Sequence, residues 1–323
     1  MPIGHHSLNM RWRRPVGSQP MRWKRCHHTQ KNEGSKPVGQ VWLRINAKKS
    51  RSGPQTTRNV YLFMCNAAMP RTSPLPELCW IDADQSLPPV HQAWGPQSPA
   101  PGLLAAGQDL SASRLLEAYS QGIFPWFSDG QPVLWWSPDP RMVLRPGDFR
   151  LRRSLRQSLQ RWLRHPGFSL SFDRDFGQVI RRCSASPRAG QNGTWIVPAM
   201  VQAYEELHRA GHAHSAEVWL DGELVAGLYF VALGHAVFGE SMFTTISDGS
   251  KMALACLVSV CLAHGVPAID CQQNTRHLAS LGAREIPRAD FVATVQQERL
   301  KPPIDWAQQT LYWTTLTALD TTS

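Results

Sequence analysis

The stretch that most constrains the fold lies at residues 214–273, where three strand-like segments precede an apolar helix and a further strand. Asp221-Gly222 is a strong two-residue hairpin signal and Gly234-His235 a weaker one, so these segments predict an antiparallel meander. The apolar run at 252–263 is well under the roughly 20 residues that span a bilayer, which indicates a core helix. We therefore expect an α/β (α+β) domain with a mixed, largely antiparallel sheet.

The rest of the chain supplies signals for further elements. A Ser N-cap signal and a closing Gly predict a short helix over 111–122, and Pro198 suits the first turn of a helix that closes near Gly211. An amphipathic helix is expected over 151–164, and a strand over 168–173. These signals predict a leader at 1–68, a small N-terminal α+β domain at 69–140, a mixed α/β domain at 141–305 and a C-terminal tail at 306–323.

The leader carries the basic charge of the whole chain. Residues 1–68 hold 13 of the 34 Lys and Arg but a single acid, Glu33, so the formal net charge of +10 arises there. This composition, without a period of 2 or 3.6, predicts disorder. Two interpretations compete, a basic RNA-binding arm and translation from upstream of the true start at Met69; we favour the second.

Cysteine usage indicates a reducing compartment. The seven cysteines show no paired spacing, and three of them lie in apolar surroundings, so we expect reduced thiols in a cytoplasmic protein that does not cross a membrane. A metal site is a weak alternative, because His212 and His214 have no third ligand at telling spacing. A nucleophilic Cys271 is equally weak, since strand alternation turns it away from Asp270.

Polar side chains interrupt two apolar strands at Glu240, Asp270 and Gln272. Burying an unpaired carboxylate costs several kcal/mol, so these residues need a reason to be there. By strand alternation Glu240 and Met242 share one face, and Asp270 and Gln272 point together. One interpretation is a small-ligand pocket with apolar walls. The other is that Glu240 and Asp270 pair with arginines at the end of the sheet.

Six arginines lie within 150–164, with no acid between Asp148 and Asp173. Four of them project away from parts of the leucine stripe of the predicted helix: Arg152, Arg153, Arg156 and Arg164. Such a basic amphipathic helix predicts a track for nucleic-acid phosphates with salt-dependent affinity. A solvated helix face without a partner is the alternative.

Ordered motifs identify a family resemblance over roughly residues 75–300. They are GLLAAGQDLS (102–111), GIFPWF (122–127), LWWSPDPRMVL (134–144), GTWI (193–196), AYEELH (203–208), GHAHSAEVW (211–219), GESMF (239–243), SK (250–251), IDCQ (269–272) and HLASLGAREIPR (277–288). In this order they resemble leucyl/phenylalanyl-tRNA–protein transferases. Gln108, Phe230 and Thr244 depart from the usual family residues, and none of these departures touches Glu240, Asp270 or Gln272.

The resemblance implies an activity. It is the transfer of Leu or Phe, with Met as a weaker donor, from aminoacyl-tRNA to a protein with an N-terminal Arg or Lys, which marks that protein for N-end-rule degradation. A GNAT-like catalytic domain is implied as well, with no metal and no coenzyme. We expect a monomer. The rivals are an acyl-CoA N-acetyltransferase, disfavoured because no (Gln/Arg)-x-x-Gly-x-(Gly/Ala) loop occurs, and an inactive tRNA-binding adaptor.

The resemblance also implies roles for single residues. Asp270 and Gln272 match the family's reaction centre, with Glu240 the acid beside it. The aminoacyl side-chain pocket matches Leu228, Met242, Leu254 and Leu257. Aromatic residues for the terminal adenosine of tRNA match Trp126, Trp195, Tyr204 and Tyr119, with ordinary core packing as the alternative for each. We expect Gln272 to orient the acceptor amine, its side-chain oxygen polarised by Asp270.

Overall fold

Two β-sheets with flanking helices form the fold of the computed structural model, which describes residues 40–49, 57–65, 77–186 and 196–321. Trp195 and residues 1–39 lie outside the described residues. Across these ranges, none of the helices has the length and apolar character needed to cross a membrane.

The first sheet comes from the N-terminal part of the chain. Its order is β2-β1-β3-β4-β6-β5, and one helix, α1, follows β4. The elements are β1 Gln40–Lys49, β2 Thr57–Cys65, β3 Leu78–Ile81, β4 Leu103–Gly107, α1 Ala112–Ser120, β5 Phe124–Pro125 and β6 Val133–Trp136. The expectation of a disordered leader does not hold over its whole length, because β1 and β2 pair with each other and β1 pairs with β3.

The second sheet has the order β13-β7-β12-β11-β10-β9-β8, and only the β11–β12 pair is parallel. Its strands are β7 Arg141–Leu144, β8 Phe168–Phe172, β9 Ala213–Leu220, β10 Glu223–Leu233, β11 Ala236–Thr244, β12 Ile269–Asp270 and β13 Arg284–Ile286. The helices along this part are α2 Arg153–Trp162, α3 Phe176–Ala185, α4 Pro198–Arg209, α5 Gly249–Ala263, α6 Arg276–Ser280, α7 Arg288–Glu298 and α8 Trp313–Thr317. The mixed, largely antiparallel sheet expected from the sequence is confirmed.

The meander forms because its turns have the residues that its backbone requires. Asp221 and Gly222 both have positive φ, 51° and 82°, as a type I′ hairpin turn needs, and they join β9 to β10. Gly234, with φ of 55°, lies in the β10–β11 turn. Both predicted hairpins are confirmed.

The core has two apolar clusters: the first contains Tyr119 and Phe238, and the second is centred on helix α5. Helix α5 is buried on every side along most of its length, as the apolar run at 252–263 predicts. One side packs on β9 and β10 of the meander, and α8 packs on another. The expected C-terminal tail therefore completes the core, with Trp306 and Leu316 almost fully buried beside α5 and the sheet.

Strand β11 contains a β-bulge at Glu240. Tyr229 pairs with Ser241 and Phe230 pairs with Gly239, which leaves Glu240 as the extra residue. Glu240 therefore points toward Tyr119 and Tyr204 of the first apolar cluster, whereas Met242 packs against the second cluster with α5. The prediction that Glu240 and Met242 share one face is wrong, because strict alternation fails at a bulge.

Candidate active site

The carboxylate of Glu240 lies at the end of a chain of tyrosine hydroxyls. Tyr119 Oη donates to Glu240 Oε1 over 2.6 Å, and Tyr204 Oη reaches Oε2 over 3.4 Å. The two hydroxyls also hydrogen-bond each other. Helix α1 supplies Tyr119 and α4 supplies Tyr204, and both rings are fully buried, while Glu240 keeps partial contact with solvent. Two helices thus hold one carboxylate of strand β11 at a half-buried position.

This environment favours the protonated form of Glu240. Burial is the largest cause, and together with the negative charge of Asp270 it raises the pKa of Glu240 to about 8; the tyrosine hydrogen bonds and the charge of Arg141 act in the opposite direction. Burial and the charge of Glu240 also raise the pKa of both tyrosines well above the usual value, so they stay donors. Glu240 is therefore a carboxyl group that can exchange a proton near neutral pH.

Asp270 is held by a buried ion pair. Arg141 Nε donates to Asp270 Oδ1 over 2.7 Å and Arg141 Nη2 to Oδ2 over 2.6 Å, and neither side chain is exposed. The remaining Arg141 nitrogen, Nη1, donates to the carbonyl of Gly122. The alternative that Asp270 pairs with an arginine at the sheet is thus confirmed, and Glu240 takes tyrosines as partners instead. With no exposed surface, the Asp270 carboxylate cannot touch a substrate in this arrangement.

Gln272 joins the two carboxylates. Its backbone N–H donates to Asp270 Oδ1 over 3.0 Å, while its side-chain amide donates to the carbonyl of Gly239 over 2.8 Å and to Glu240 Oε1 over 3.3 Å. Strand β12 ends at Asp270, and the backbone of Gln272 is left-handed, with φ of 54°. Strand alternation therefore does not reach Gln272. We expected Asp270 to polarise the side-chain oxygen of Gln272, but the Asp270 carboxylate instead accepts a hydrogen bond from the Gln272 backbone.

The four residues expected to form the aminoacyl pocket lie together in the second apolar cluster. Leu228 of β10 is the register partner of Met242 of β11, and α5, which carries Leu254 and Leu257, packs across both strands. Three of the four side chains are almost fully buried, and Met242 is partly exposed. Met242 is therefore the member of this set that solvent, or a substrate side chain, can reach.

The aromatic residues do not behave alike. Tyr119 and Tyr204 have no exposed surface, and their rings pack at 5.0 Å from Phe238 and 5.4 Å from Tyr229. A base cannot stack on them in this arrangement, so the expectation of adenosine contact is corrected for both, because their hydroxyls hold Glu240 instead. Trp126 is partly exposed, with its ring centroid 5.4 Å from that of Trp136, so part of its ring remains accessible to a nucleic-acid base.

The predicted basic helix is present as α2. Leu155 and Leu159 are buried, while Arg152, Arg153 and Arg164 are exposed. Arg156 is partly exposed. Arg152 also donates to the carbonyl of Ser280 over 3.3 Å. A shallow cavity of about 80 Å³ lies beside the start of α2, lined in part by Arg150, Arg152 and Lys251. The arginines therefore present a cationic surface to solvent.

Among the residues that the structure describes, one group of side chains offers metal-type ligand atoms within 4.8 Å of one another: Asp173, His208 and His214. Two of the ring nitrogens are already in hydrogen bonds: His214 Nδ1 with Asp173 over 2.7 Å, and His208 Nδ1 with the carbonyl of Ala213 over 2.7 Å. His212 is not in the group. The hydrogen bonds explain this cluster without a metal.

Burial raises the pKa of Cys271, which disfavours the nucleophilic thiolate.

Sequence reasoning missed Arg141 as a site residue. The sequence carries it inside the motif LWWSPDPRMVL, where a basic residue opens an apolar strand, and that position is a signal of the same kind as the strand carboxylates. Two aromatic rings pack against its guanidinium group: the ring centroids of Phe124 and Phe291 lie 4.8 Å and 4.6 Å from the guanidinium carbon. A buried arginine between two aromatic rings is a fixed charge.

Comparison with known proteins gives two family matches. Residues 143–296 match the model described as leucyl/phenylalanyl-tRNA protein transferase, and residues 108–139 match the model of the N-terminal domain of the same family. A relative from Polaromonas sp. (strain JS666 / ATCC BAA-500), named leucyl/phenylalanyl-tRNA–protein transferase, is 60% identical over 72% of this chain and 92% of its own length. A relative with that name from Albidiferax ferrireducens is 55% identical over 74% of this chain and 94% of its own length.

Solved structures are more distant. L-PGS from Bacillus licheniformis matches with a TM-score of 0.30 and 13% identity, covering 54% of this chain and 56% of that one. A GCN5-related N-acetyltransferase-like protein from Streptococcus suis matches with a TM-score of 0.28 and 17% identity, covering 56% and 67%. TM-scores of this size carry no argument about function.

Proposed function

The chain belongs to the leucyl/phenylalanyl-tRNA protein transferase family, and on that premise we propose that it transfers leucine or phenylalanine from aminoacyl-tRNA to proteins. The observation that supports this chemistry is a single partly exposed carboxyl group, Glu240, held beside the amide of Gln272 with a pKa near 8. A group with a pKa near the working pH is the most effective proton acceptor for an attacking amine.

The reaction is aminolysis of an ester. The neutral α-amine of the acceptor attacks the aminoacyl carbonyl carbon, a C–N bond forms, and the C–O bond to the terminal ribose of the tRNA breaks. Glu240 accepts the proton that the amine loses, and a proton returns to the ribose oxygen as it leaves. The reaction is downhill, so holding amine and ester in contact supplies much of the rate.

We assign positions around this centre from the contacts on each side. The amide oxygen of Gln272 is left for the acceptor amine, because both donor contacts of its nitrogen are internal. The side chain of the transferred residue enters at Met242, above the apolar cluster that includes Leu228, Leu254 and Leu257. Such a wall discriminates by about 1–3 kcal/mol per methylene, so methionine is the expected weaker donor.

The acceptor class follows from charge. An N-terminal Arg or Lys brings a cation toward Glu240, and a nearby positive charge lowers the pKa of a carboxyl group and favours its ionised form. Binding of a basic acceptor therefore prepares Glu240 to accept the proton. Proteins so modified are expected to enter N-end-rule degradation.

We also propose which residues bind tRNA and in which compartment the reaction takes place. We assign the phosphate track to Arg152, Arg153, Arg156 and Arg164, and the contact with the terminal adenosine to Trp126 and Trp195. We place the reaction in the cytoplasm, where thiols stay reduced, since Cys79, Cys183, Cys256, Cys261 and Cys271 are free. We propose that the chain acts as a monomer.

A transfer assay tests the proposal. The full chain is incubated with tRNA charged with labelled phenylalanine and a peptide with N-terminal Arg, and label in the peptide is measured. The matched controls are the same peptide with an acetylated N-terminus, and acetyl-CoA in place of charged tRNA. Label from tRNA only into the free amine supports the proposal. Acetylation instead would identify an N-acetyltransferase, and tRNA binding without transfer an inactive adaptor.

A further inference from the structure

We propose that Arg141 is a positioning residue for the transfer reaction: it fixes and neutralises Asp270, so that Asp270 acts as a backbone anchor for Gln272 and not as a base. The inference rests on the proposed function and assigns the proton to Glu240, and not to Asp270 or Gln272.

The first step is the geometry of the ion pair. Two nitrogens of Arg141 meet the two oxygens of Asp270 at 2.7 Å and 2.6 Å, a bidentate arrangement that only a planar guanidinium can make. The third nitrogen donates to Gly122, and the rings of Phe124 and Phe291 lie against the guanidinium. Arg141 is therefore held in place independently of Asp270.

The second step passes from Asp270 to Gln272. Asp270 Oδ1 accepts both Arg141 Nε and the backbone N–H of Gln272. A left-handed conformation is costly for a residue with a side chain, so it needs such a restraint. With its backbone held, the Gln272 amide bridges the carbonyl of Gly239 and the carboxylate of Glu240 across the bulge.

The third step is charge. The groups that face Glu240 are Tyr119 from α1, Tyr204 from α4, Asp270 from β12 and Arg141 from β7. At Glu240 the positive charge of Arg141 opposes the negative charge of Asp270 when both are present. Without the guanidinium, the unpaired charge of Asp270 would disfavour ionisation of Glu240. The pKa of Glu240, and with it the pH midpoint of turnover, would then rise.

The experiment compares Arg141→Lys, Arg141→Gln, Asp270→Asn and the double variant Arg141→Gln/Asp270→Asn. Arg114→Lys is the matched control, because Arg114 is also a buried arginine with several partners and touches none of the site residues. The turnover number, the KM for charged tRNA and for acceptor peptide, and the pH midpoint of turnover are measured, with thermal melting as the check of folding.

We expect Arg141→Lys to lose about 10- to 100-fold in turnover, as small misplacements near a reaction centre do, with each KM within about twofold and with Arg114→Lys near wild type. The double variant leaves no charge unpaired, so we expect it to fold, with a pH midpoint of turnover close to that of the wild type. Its turnover should be faster than that of Arg141→Gln or Asp270→Asn, for whichever of these single variants folds. If neither single variant folds, the pH midpoint of the double variant tests the inference. Arg141→Gln, if folded, should show a raised midpoint.

Two results would overturn the inference. One is a double variant that is as slow as, or slower than, its folded single variants, because the Asp270 charge would then act in the reaction itself. The other is a fall in Arg141→Lys that appears in KM alone, or equally in Arg114→Lys. If the wild-type chain transfers no phenylalanine at all, the proposed function fails instead, so the two failures are distinguishable.

Discussion

Tyr119 donates its hydroxyl to Glu240 over 2.6 Å, across 121 residues of chain, and thereby ties helix α1 to the bulge in β11. Neither residue could hold this position alone. The bulge turns Glu240 out of the alternation of its strand, and the buried tyrosine gives the carboxylate a donor in surroundings that otherwise disfavour its charge. The relationship leads to the first two predictions.

Tyr119→Phe is expected to raise the pH midpoint of turnover, because a hydrogen bond to the ionised carboxylate is lost. Tyr204→Phe should raise it less, since Tyr204 lies 3.4 Å from Glu240 and Tyr119 only 2.6 Å. Full pH–rate profiles of both variants check this order. Equal midpoints in the wild type and Tyr119→Phe would contradict it.

Glu240→Gln is expected to change the pH dependence of stability. The pKa of Glu240 is about 8 in the folded chain against 4.5 for an unperturbed glutamate, so the folded state binds the proton more tightly. The wild type therefore loses stability as pH rises from about 4.5 to about 8, and the neutral variant lacks this loss. The difference in melting temperature, variant minus wild type, should increase over that window and then level off. A constant difference from pH 4.5 to 9 would exclude the raised pKa.

The same variant should alter the pH dependence of kcat/KM, which reports the free enzyme and the free substrate. Two groups must lose a proton in the wild type, Glu240 and the acceptor amine, whose usual pKa is about 7.7–8.0. A plot of log kcat/KM against pH should therefore approach a slope of 2 below pH 7, and Glu240→Gln a slope of 1 at much reduced activity. A slope of 1 in both proteins would remove Glu240 from the role of base.

Met242→Ala is expected to lower kcat/KM for leucine and phenylalanine donors by about 10- to 200-fold, the range for lost apolar contact in a pocket. The matched control is Leu233→Ala, also a partly buried apolar strand residue, which packs in the other cluster. Steady-state kinetics with each charged tRNA measures both. Equal losses in the two variants would indicate general destabilisation rather than a pocket.

Arg153→Ala is expected to weaken tRNA binding and to reduce the slope of log K against log salt by about 0.7–0.9, the contribution of one phosphate contact. Arg209→Ala is the control, since Arg209 is an exposed arginine at the end of α4. Binding titrations from about 50 to 200 mM salt measure the slopes. If both variants keep the wild-type slope, α2 is a solvated face.

Signals within a few residues of sequence were enough to predict most of the individual helices and turns. Ser111 caps α1 by accepting from the backbone of Arg114, and positive φ at Asp221 and Gly222 forms the predicted hairpin, because capping and turn chemistry act over a few residues. The apolar run of α5 also needs no partner to be recognised as buried.

Periodicity was less informative at the site. It placed Glu240 with Met242 and Asp270 with Gln272, but the bulge at Glu240 and the end of β12 at Asp270 both break the alternation. A bulge depends on the register with a neighbouring strand, and no pattern along β11 alone reports it. For a similar reason the sequence left two alternatives open for Tyr119 and Tyr204, adenosine contact and core packing, since an aromatic residue in sequence does not reveal whether its ring is exposed.

By itself, the sequence determined the family and the meander and singled out the polar residues Glu240, Asp270 and Gln272 as candidates, because ordered motifs and short-range turn chemistry are local properties of the chain. Only the tertiary structure decided which of those residues meet. Arg141 reaches Asp270 across 129 residues, and Tyr119 and Tyr204 reach Glu240 across 121 and 36. Such pairs, and the pKa that burial gives to Glu240, arise from packing between distant segments, and a linear pattern does not contain that information.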